Sequence, residues 1–221
     1  MQKFDTPAAV CAVLDVPAGR IEFIAADRDD TIVEVRPANA ARNRDVKAAE
    51  QLEVDYRDGV LRIAAKPAKN QYLGPSGSVE VTVQLPAGSR IEAKAGSAEL
   101  RTVGRLGDIV FEGAYRQAKI DEAASLRLTA ADGDIEVGRL SGPAEISTAR
   151  GDIRITEAVR GTVTLSTQSG DISVGAATGI SATLDAGTAH GRISNTLHNH
   201  GTTQLDIRAT TTSGDITARS L

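Results

Sequence analysis

Apolar and polar residues alternate in short runs along most of the chain, the signature of half-buried β-strands rather than helices. In the second half the alternation is punctuated by Gly-Asp-Ile at Gly107, Gly133, Gly151, Gly170 and Gly214, with the variant Gly191-Arg192-Ile193. Aligning the segments on that Gly produces columns. Seven positions before it stand Leu126, Ala144, Val163, Leu184 and Ile207; two after it stand Ile135, Ile153, Ile172, Ile193 and Ile216. Apolar positions two residues apart on both sides of a turn predict two strands per repeat, each turning one face inward. From Gly133 onward the turns recur at intervals of 18, 19, 21 and 23 residues, the length of one solenoid coil with two strands and two corners. Ala118-Lys119-Ile120 reads as a decayed copy of the triplet.

The first ninety residues read differently. Ala8 to Leu14 predicts a first strand, Pro17-Ala18-Gly19 a turn, and Arg20 to Ala26 a second strand with Ile21, Phe23 and Ala25 inward. Leu85 to Glu92 echoes Val16 to Glu22, which suggests two related hairpins. Leu52 to Tyr56 and Val60 to Ala65 flank Asp58-Gly59, a strong hairpin signal. Asp45 to Gln51 is the one helical segment, with Asp45 as its expected cap, and Lys66 to Gly77 reads as a loop. The expected architecture is all-β: a right-handed parallel β-solenoid over residues 91–221, preceded by a β-hairpin capping region over residues 1–90.

The triplet explains itself structurally. Gly permits the corner conformation, Asp can bond local backbone, and Ile begins the next inward face. Stacked coils would also align Asp108, Asp134, Asp152, Asp171 and Asp215 about 4.8 Å apart. A calcium ladder is the rival reading, but the nine-residue period and Gly-Gly pairs of calcium β-rolls are missing. Thr148, Thr167, Thr188 and Thr211 form an inward hydroxyl column, and Thr129, Ser147, Ser166 and Thr210 an outward one too broken for ice binding. His190, His198 and His200 fall close together; without a neighbouring Cys or carboxylate at ligand spacing they read as loop histidines. Catalytic motifs for zinc proteases, serine hydrolases and dinucleotide enzymes are missing. No catalytic, cofactor or metal residue is therefore assigned.

Composition narrows the partners. Aromatics are 3% with no Trp, which suits a thin core of small and β-branched side chains. Residues 1–106 balance 15 basic against 15 acidic side chains, so the repeat half, with 10 against 14, carries the net charge of −4. That disfavours nucleic acid. The single cysteine, Cys11, sits in an apolar run and is expected in the core. No run approaches the length of a membrane helix and no leader is recognisable, so a cytoplasmic protein without membrane insertion is expected.

Phe4-Asp5-Thr6-Pro7, Asp45 to Gln51, Gly104-Arg105-Leu106-Gly107-Asp108 and the Ser/Thr-x-Gly-Asp-Ile corners together resemble the bacterial DUF4097 family, labelled "putative adhesin", with actinobacterial members standing closest. The resemblance implies a right-handed β-solenoid-like fold with no catalytic residues to carry over. The expected function is a non-enzymatic scaffold presenting a polar face to a protein or glycan; the alternative is an enzyme or small-ligand binder using a groove beside the solenoid. Because the sequence stops soon after the last triplet, the C-terminal coil is expected to be a naked end that forms a homodimer.

Overall fold

The computed structural model describes residues 1–65, 77–114 and 116–221, and within them the chain forms eighteen strands and one short helix. The expected loop at 66–77 lies outside the described residues but for Gly77. Strands stack into two ladders facing each other across a single apolar core, as the column alignment requires.

The repeats set the pattern. Strands β9 (Ala118–Asp132), β10 (Ile135–Leu140), β11 (Ala144–Arg150), β12 (Ile153–Ala158), β13 (Gly161–Ser169) and β14 (Ile172–Ala176) wind through successive coils. In the front ladder Leu126, Ala144 and Val163 are parallel partners; in the back ladder Ile135, Ile153 and Ile172 are. The three stacked isoleucines are at most 1% exposed. Each is worth roughly 1.5–3 kcal/mol on burial, and only the next rung supplies that burial.

The chain then breaks sequence order. Strands β15 (Ala182–His190) and β16 (Ile193–Thr196) are laid down first, and β17 (Leu205–Ser213) and β18 (Ile216–Ser220) slot in between them and β13/β14. Ile207 thus pairs with Val163 on one side and Leu184 on the other, and Ile216 with Ile172 and Ile193. The residue types account for the inversion. Leu205, Ile207, Ala209, Ile216 and Ala218 suit a rung buried on both sides, whereas Asn195 puts a polar side chain at the inward position that Ala218 holds on the neighbouring strand and weakens the apolar face of β16. The expectation that the C-terminal coil is the naked end is corrected: the outermost coil is β15 with β16.

The same ladder continues into the N-terminal part. Strand β2 (Cys11–Ala26) runs without interruption through Pro17-Ala18-Gly19 and pairs in parallel with β7 (Arg90–Val103) along nearly its whole length. Pro17 to Gly19 is therefore a bend between ladders, not a hairpin turn. The echo between the two Pro-Ala-Gly segments is no structural repeat either, since Ile21 pairs with Leu100 and Ile91 pairs with Ala12. The first strand is β1 (Gln2–Asp5), ahead of the predicted one. Hairpin geometry survives where Asp58-Gly59 signalled it: β4 (Leu52–Arg57) and β5 (Val60–Ala65) are antiparallel, with φ of 50° at Asp58 and 80° at Gly59. Strand β3 (Asp30–Pro37) lies antiparallel between β1 and β6 (Val79–Pro86).

Helix α1 (Asn43–Gln51) begins two residues before Asp45, so Asp45 does not cap it. Its buried carboxylate instead accepts the backbone N–H of Ser78 at 3.0 Å, tying the helix to the start of β6. Cys11 is half-buried at the outward-facing start of β2 rather than in the core. Desolvation raises its thiol above the ordinary value, with Glu92 adding to the effect and Arg90 opposing it.

Candidate binding face and the corner ladder

At the corners each Asp carboxylate reaches the neighbouring rung rather than its own backbone. Asp134 accepts the N–H of Asp152 at 2.9 Å, Asp152 that of Asp171 at 2.7 Å, Asp171 that of Asp215 at 2.7 Å, and Asp215 that of Arg192 at 2.8 Å. A column of like charges about 4.8 Å apart is thereby compensated by backbone donors. Sequence order made Arg192 look like an interruption, yet in space it is the last rung. Its guanidinium also donates to the other Asp215 oxygen at 3.0 Å, ending the acidic column with a cation. The Arg192 N–H and then its side chain hold the Asp215 carboxyl below the usual range.

One predicted member of this column, Asp108, lies elsewhere, and the decayed corner is displaced by two residues. Asp108 sits within β8 (Arg105–Ala114) of the front ladder, where Ile109 pairs with Ile91 and Leu126, and its carboxylate accepts Ser125 Oγ at 2.6 Å. The decayed corner is Arg116-Gln117-Ala118, because Ala118 rather than Ile120 aligns with Ile135. Inside the corners, the hydroxyls of Thr167, Thr211 and Thr188 donate to the carbonyls of Gly151, Gly170 and Gly214 at 3.0–3.2 Å. From Gly151 onward each corner is thus held to its neighbour from inside by Thr and from outside by Asp, whereas Thr148 donates to the Arg150 carbonyl of its own rung.

The ladder makes a graded prediction. Asp152→Ala leaves the Asp171 N–H without its acceptor and is expected to lower Tm by about 3 °C. Asp152→Asn keeps an acceptor oxygen and removes repulsion from Asp134 and Asp171, so it should cost less than half as much in a thermal melt. Equal losses would mean that the charge, not the hydrogen bond, holds the corner.

Among the described residues no group of three or more His, Cys, Asp or Glu is arranged to hold a metal ion. His198 and His200 do share one side of their segment, with ring centroids 5.9 Å apart, and both are exposed; His190 lies on β15.

One candidate row of recognition side chains lies on the outward side of the back ladder. Arg101, Lys119, Glu136 and Arg154 occupy successive strands, β7, β9, β10 and β12, as register partners. Beside them run Val103, Asp121, Gly138 and Thr156, whose short side chains leave an open groove of about 390 Å³. Gly138 admits no side chain, since a Cβ there would come within 2.5 Å of the Asp121 carbonyl oxygen. The groove's two carboxylates are occupied: Glu136 pairs with Lys119 Nζ at 3.1 Å, and Asp121 accepts the Gly104 N–H at 2.9 Å. A larger concavity of about 680 Å³ is lined mainly by the β4/β5 hairpin, with Gln2 and Glu50 beside it, and Arg57 pairs with its Asp55 at 3.1 Å. Lys119, Glu136 and Arg154 are legible in the sequence as the third column after each corner, once the Arg116 corner is placed; Arg101 belongs to a strand without a triplet and is not.

The family model for Toastrack DUF4097 matches residues 13–220. The chain belongs to this family. Toastrack repeats are therefore the frame for both ladders, consistent with the all-β, solenoid-like stack seen here. Three solved structures are similar to this Toastrack chain. A "putative adhesin" from Parabacteroides distasonis shows 17% identity over 98% of this chain and 95% of its own, with a TM-score of 0.47. One from Bacteroides fragilis, also described as a "putative adhesin", shows 12% over 98% and 95%, at 0.45. A "putative cell adhesion protein" from Clostridium sporogenes shows 12% over 100% and 98%, at 0.38. No curated protein matches the chain. Among the described residues no helix is long and apolar enough to cross a membrane.

Proposed function

We propose that this chain is a non-enzymatic, adhesin-like scaffold that binds a protein partner along the back-ladder groove. The observation that carries the reading is the row Arg101, Lys119, Glu136, Arg154: four charged side chains on four rigidly spaced rungs, with no aromatic ring lining the groove. A fixed row of three cations with one carboxylate among them complements a patterned protein surface and favours register and specificity. A glycan site draws on aromatic stacking surfaces, which this groove lacks. Acid–base chemistry needs a free carboxylate aimed at substrate, whereas Glu136 and Asp121 already serve Lys119 and the Gly104 N–H.

Affinity capture from native lysate tests the reading. The Lys119→Glu/Arg154→Glu variant, folded by circular dichroism, is expected to lose at least tenfold of a protein retained by the unaltered chain. Equal recovery by both would remove the groove as the binding face.

A further inference from the structure

The two ends of the solenoid are built to opposite specifications. At the N-terminal end the front ladder finishes in β4, whose Glu53, Asp55 and Arg57 point to solvent. The back ladder finishes in β1, only four residues long, with Lys3 paired to Asp30 at 2.9 Å. Phe4 and Tyr56 close that end, their ring centroids 5.5 Å apart. Short strands and charged side chains are the devices that keep a sheet edge from pairing with another chain.

The opposite end shares only one of these devices, the four-residue length of β16. One coil supplies both edges there. Strand β15 runs nine residues with Asp185 as its only formal charge and no Lys or Pro, and β16 reads Ile-Ser-Asn-Thr without any charge. Each pairs on one side only among the described residues, β15 with β17 and β16 with β18. Ile193, the inward residue whose counterparts on other rungs are buried, is 48% exposed because no further rung covers it. Leu184, Ala186 and Leu197 are part-buried against the core at the same end.

We propose that the β15/β16 coil is the docking edge for a second copy of this chain, the two copies stacking end to end about a two-fold axis with their edge strands antiparallel. The occupant follows from the geometry of the edge. Two free edges face the same way on opposite ladders, and a single added strand from another protein could pair with only one. A second copy presents the same two edges at the same separation and covers both at once. The charges permit self-association: Asp185 and Arg192 sum to zero across the coil, and Arg192 is already engaged by Asp215. The blunted β1/β4 end cannot accept this coil, so the contact is isologous and closes as a dimer instead of propagating as a filament. On docking, the Ile193 side chains of both copies gain the apolar cover that their own solenoids lack. The surface is separate from the back-ladder groove and stands or falls independently of it.

Light scattering across a wide concentration range, combined with hydrogen exchange, tests the proposal. The expected result is a particle of twice 23.0 kDa, with amides of residues 183–189 and 193–196 gaining protection as concentration rises. Ala189→Lys and Ser194→Lys, both at exposed edge positions, are expected to raise the dimer Kd at least tenfold without altering the circular dichroism spectrum. Asp55→Lys at the other end should leave it unchanged. A chain that stays monomeric at the highest attainable concentration overturns the proposal. So does a dimer whose protected amides lie elsewhere, or one that persists in folded edge-lysine variants. Should the lysine variants misfold, the exchange pattern of the unaltered chain decides.

Discussion

Gly214→Ala is expected to destabilise the protein by about 4 kcal/mol or more. Gly214 adopts φ of +151°, where L side chains are strained. A Cβ built there stands 2.0 Å from the carbonyl oxygen of Gly170, an atom fixed in the neighbouring rung. Relief requires the two rungs to separate. That would break the Thr211 hydroxyl bond to the same carbonyl and the Asp171 bond to the Asp215 N–H. Because β17/β18 is paired on both sides, the strain cannot be vented to a free end. Urea unfolding should show the full loss, with Tm falling by about 10 °C. Gly187→Ala provides the contrast: a Cβ there meets nothing within 4 Å and φ is not positive, so stability should stay within about 0.5 kcal/mol. A Gly214→Ala loss below about 1.5 kcal/mol would show that the corners yield.

The inward columns were legible in the sequence because period-two alternation and a Gly-anchored corner report strand faces directly. Leu126, Ala144, Val163 and Ile207 are register partners as aligned, and so are Ile135, Ile153, Ile172 and Ile216. What the pattern could not carry is order in the stack. Every coil has the same periodicity, so nothing periodic tells Ile193 and Ile216 apart. Only the polar intrusion Asn195, in the inward column of Val174 and Ala218, marks β15/β16 as the outer rung. A motif match also does not fix a ladder: Gly107-Asp108-Ile109 repeats the letters of a corner, yet the pairing of Ile109 with Ile91 and Leu126 places it within a strand of the front ladder. In the N-terminal region Pro17-Ala18-Gly19 carries turn chemistry that serves equally for a reversal or a bend. Parallel pairing with β7, a partner some eighty residues away, decides between them, and local sequence holds no trace of it.

The candidate groove was legible only in part, for a related reason. Side chains that sit outward on one rung acquire meaning from their neighbours on adjacent rungs. Lys119 and Arg154 flank Glu136 because corners 17 and 18 residues apart bring them into line, whereas Arg101 joins them through the pairing of Leu100 with Ala118. The Asp column, the most conspicuous chemical feature of the sequence, proved to be occupied by the fold itself. Each of its carboxylates spends one oxygen on the next rung.

Phe111→Ala is expected to cost about 4 kcal/mol, toward the upper end for a large-to-small change. Phe111 is fully buried in β8, where Ala93 and Leu128 are its partners on the flanking rungs. The chain has only three Phe and no Trp, so few other side chains of the core match this ring in volume. Collapse around the deletion is opposed by the ladder, since hydrogen bonds on both sides of β8 hold the rungs at their spacing of about 4.8 Å. Ala93 is small where its neighbour is large, which gives the prediction a sign that a simple cavity would not. Ala93→Leu alone should overpack the core and destabilise it by about 1–3 kcal/mol. In the Phe111→Ala background the same substitution should instead restore about 1 kcal/mol or more by filling the vacated volume. Urea unfolding of the two single variants and the double variant measures the cycle. If Ala93→Leu destabilises both backgrounds equally, the two side chains do not share one space, and the packing described for this part of the core is wrong.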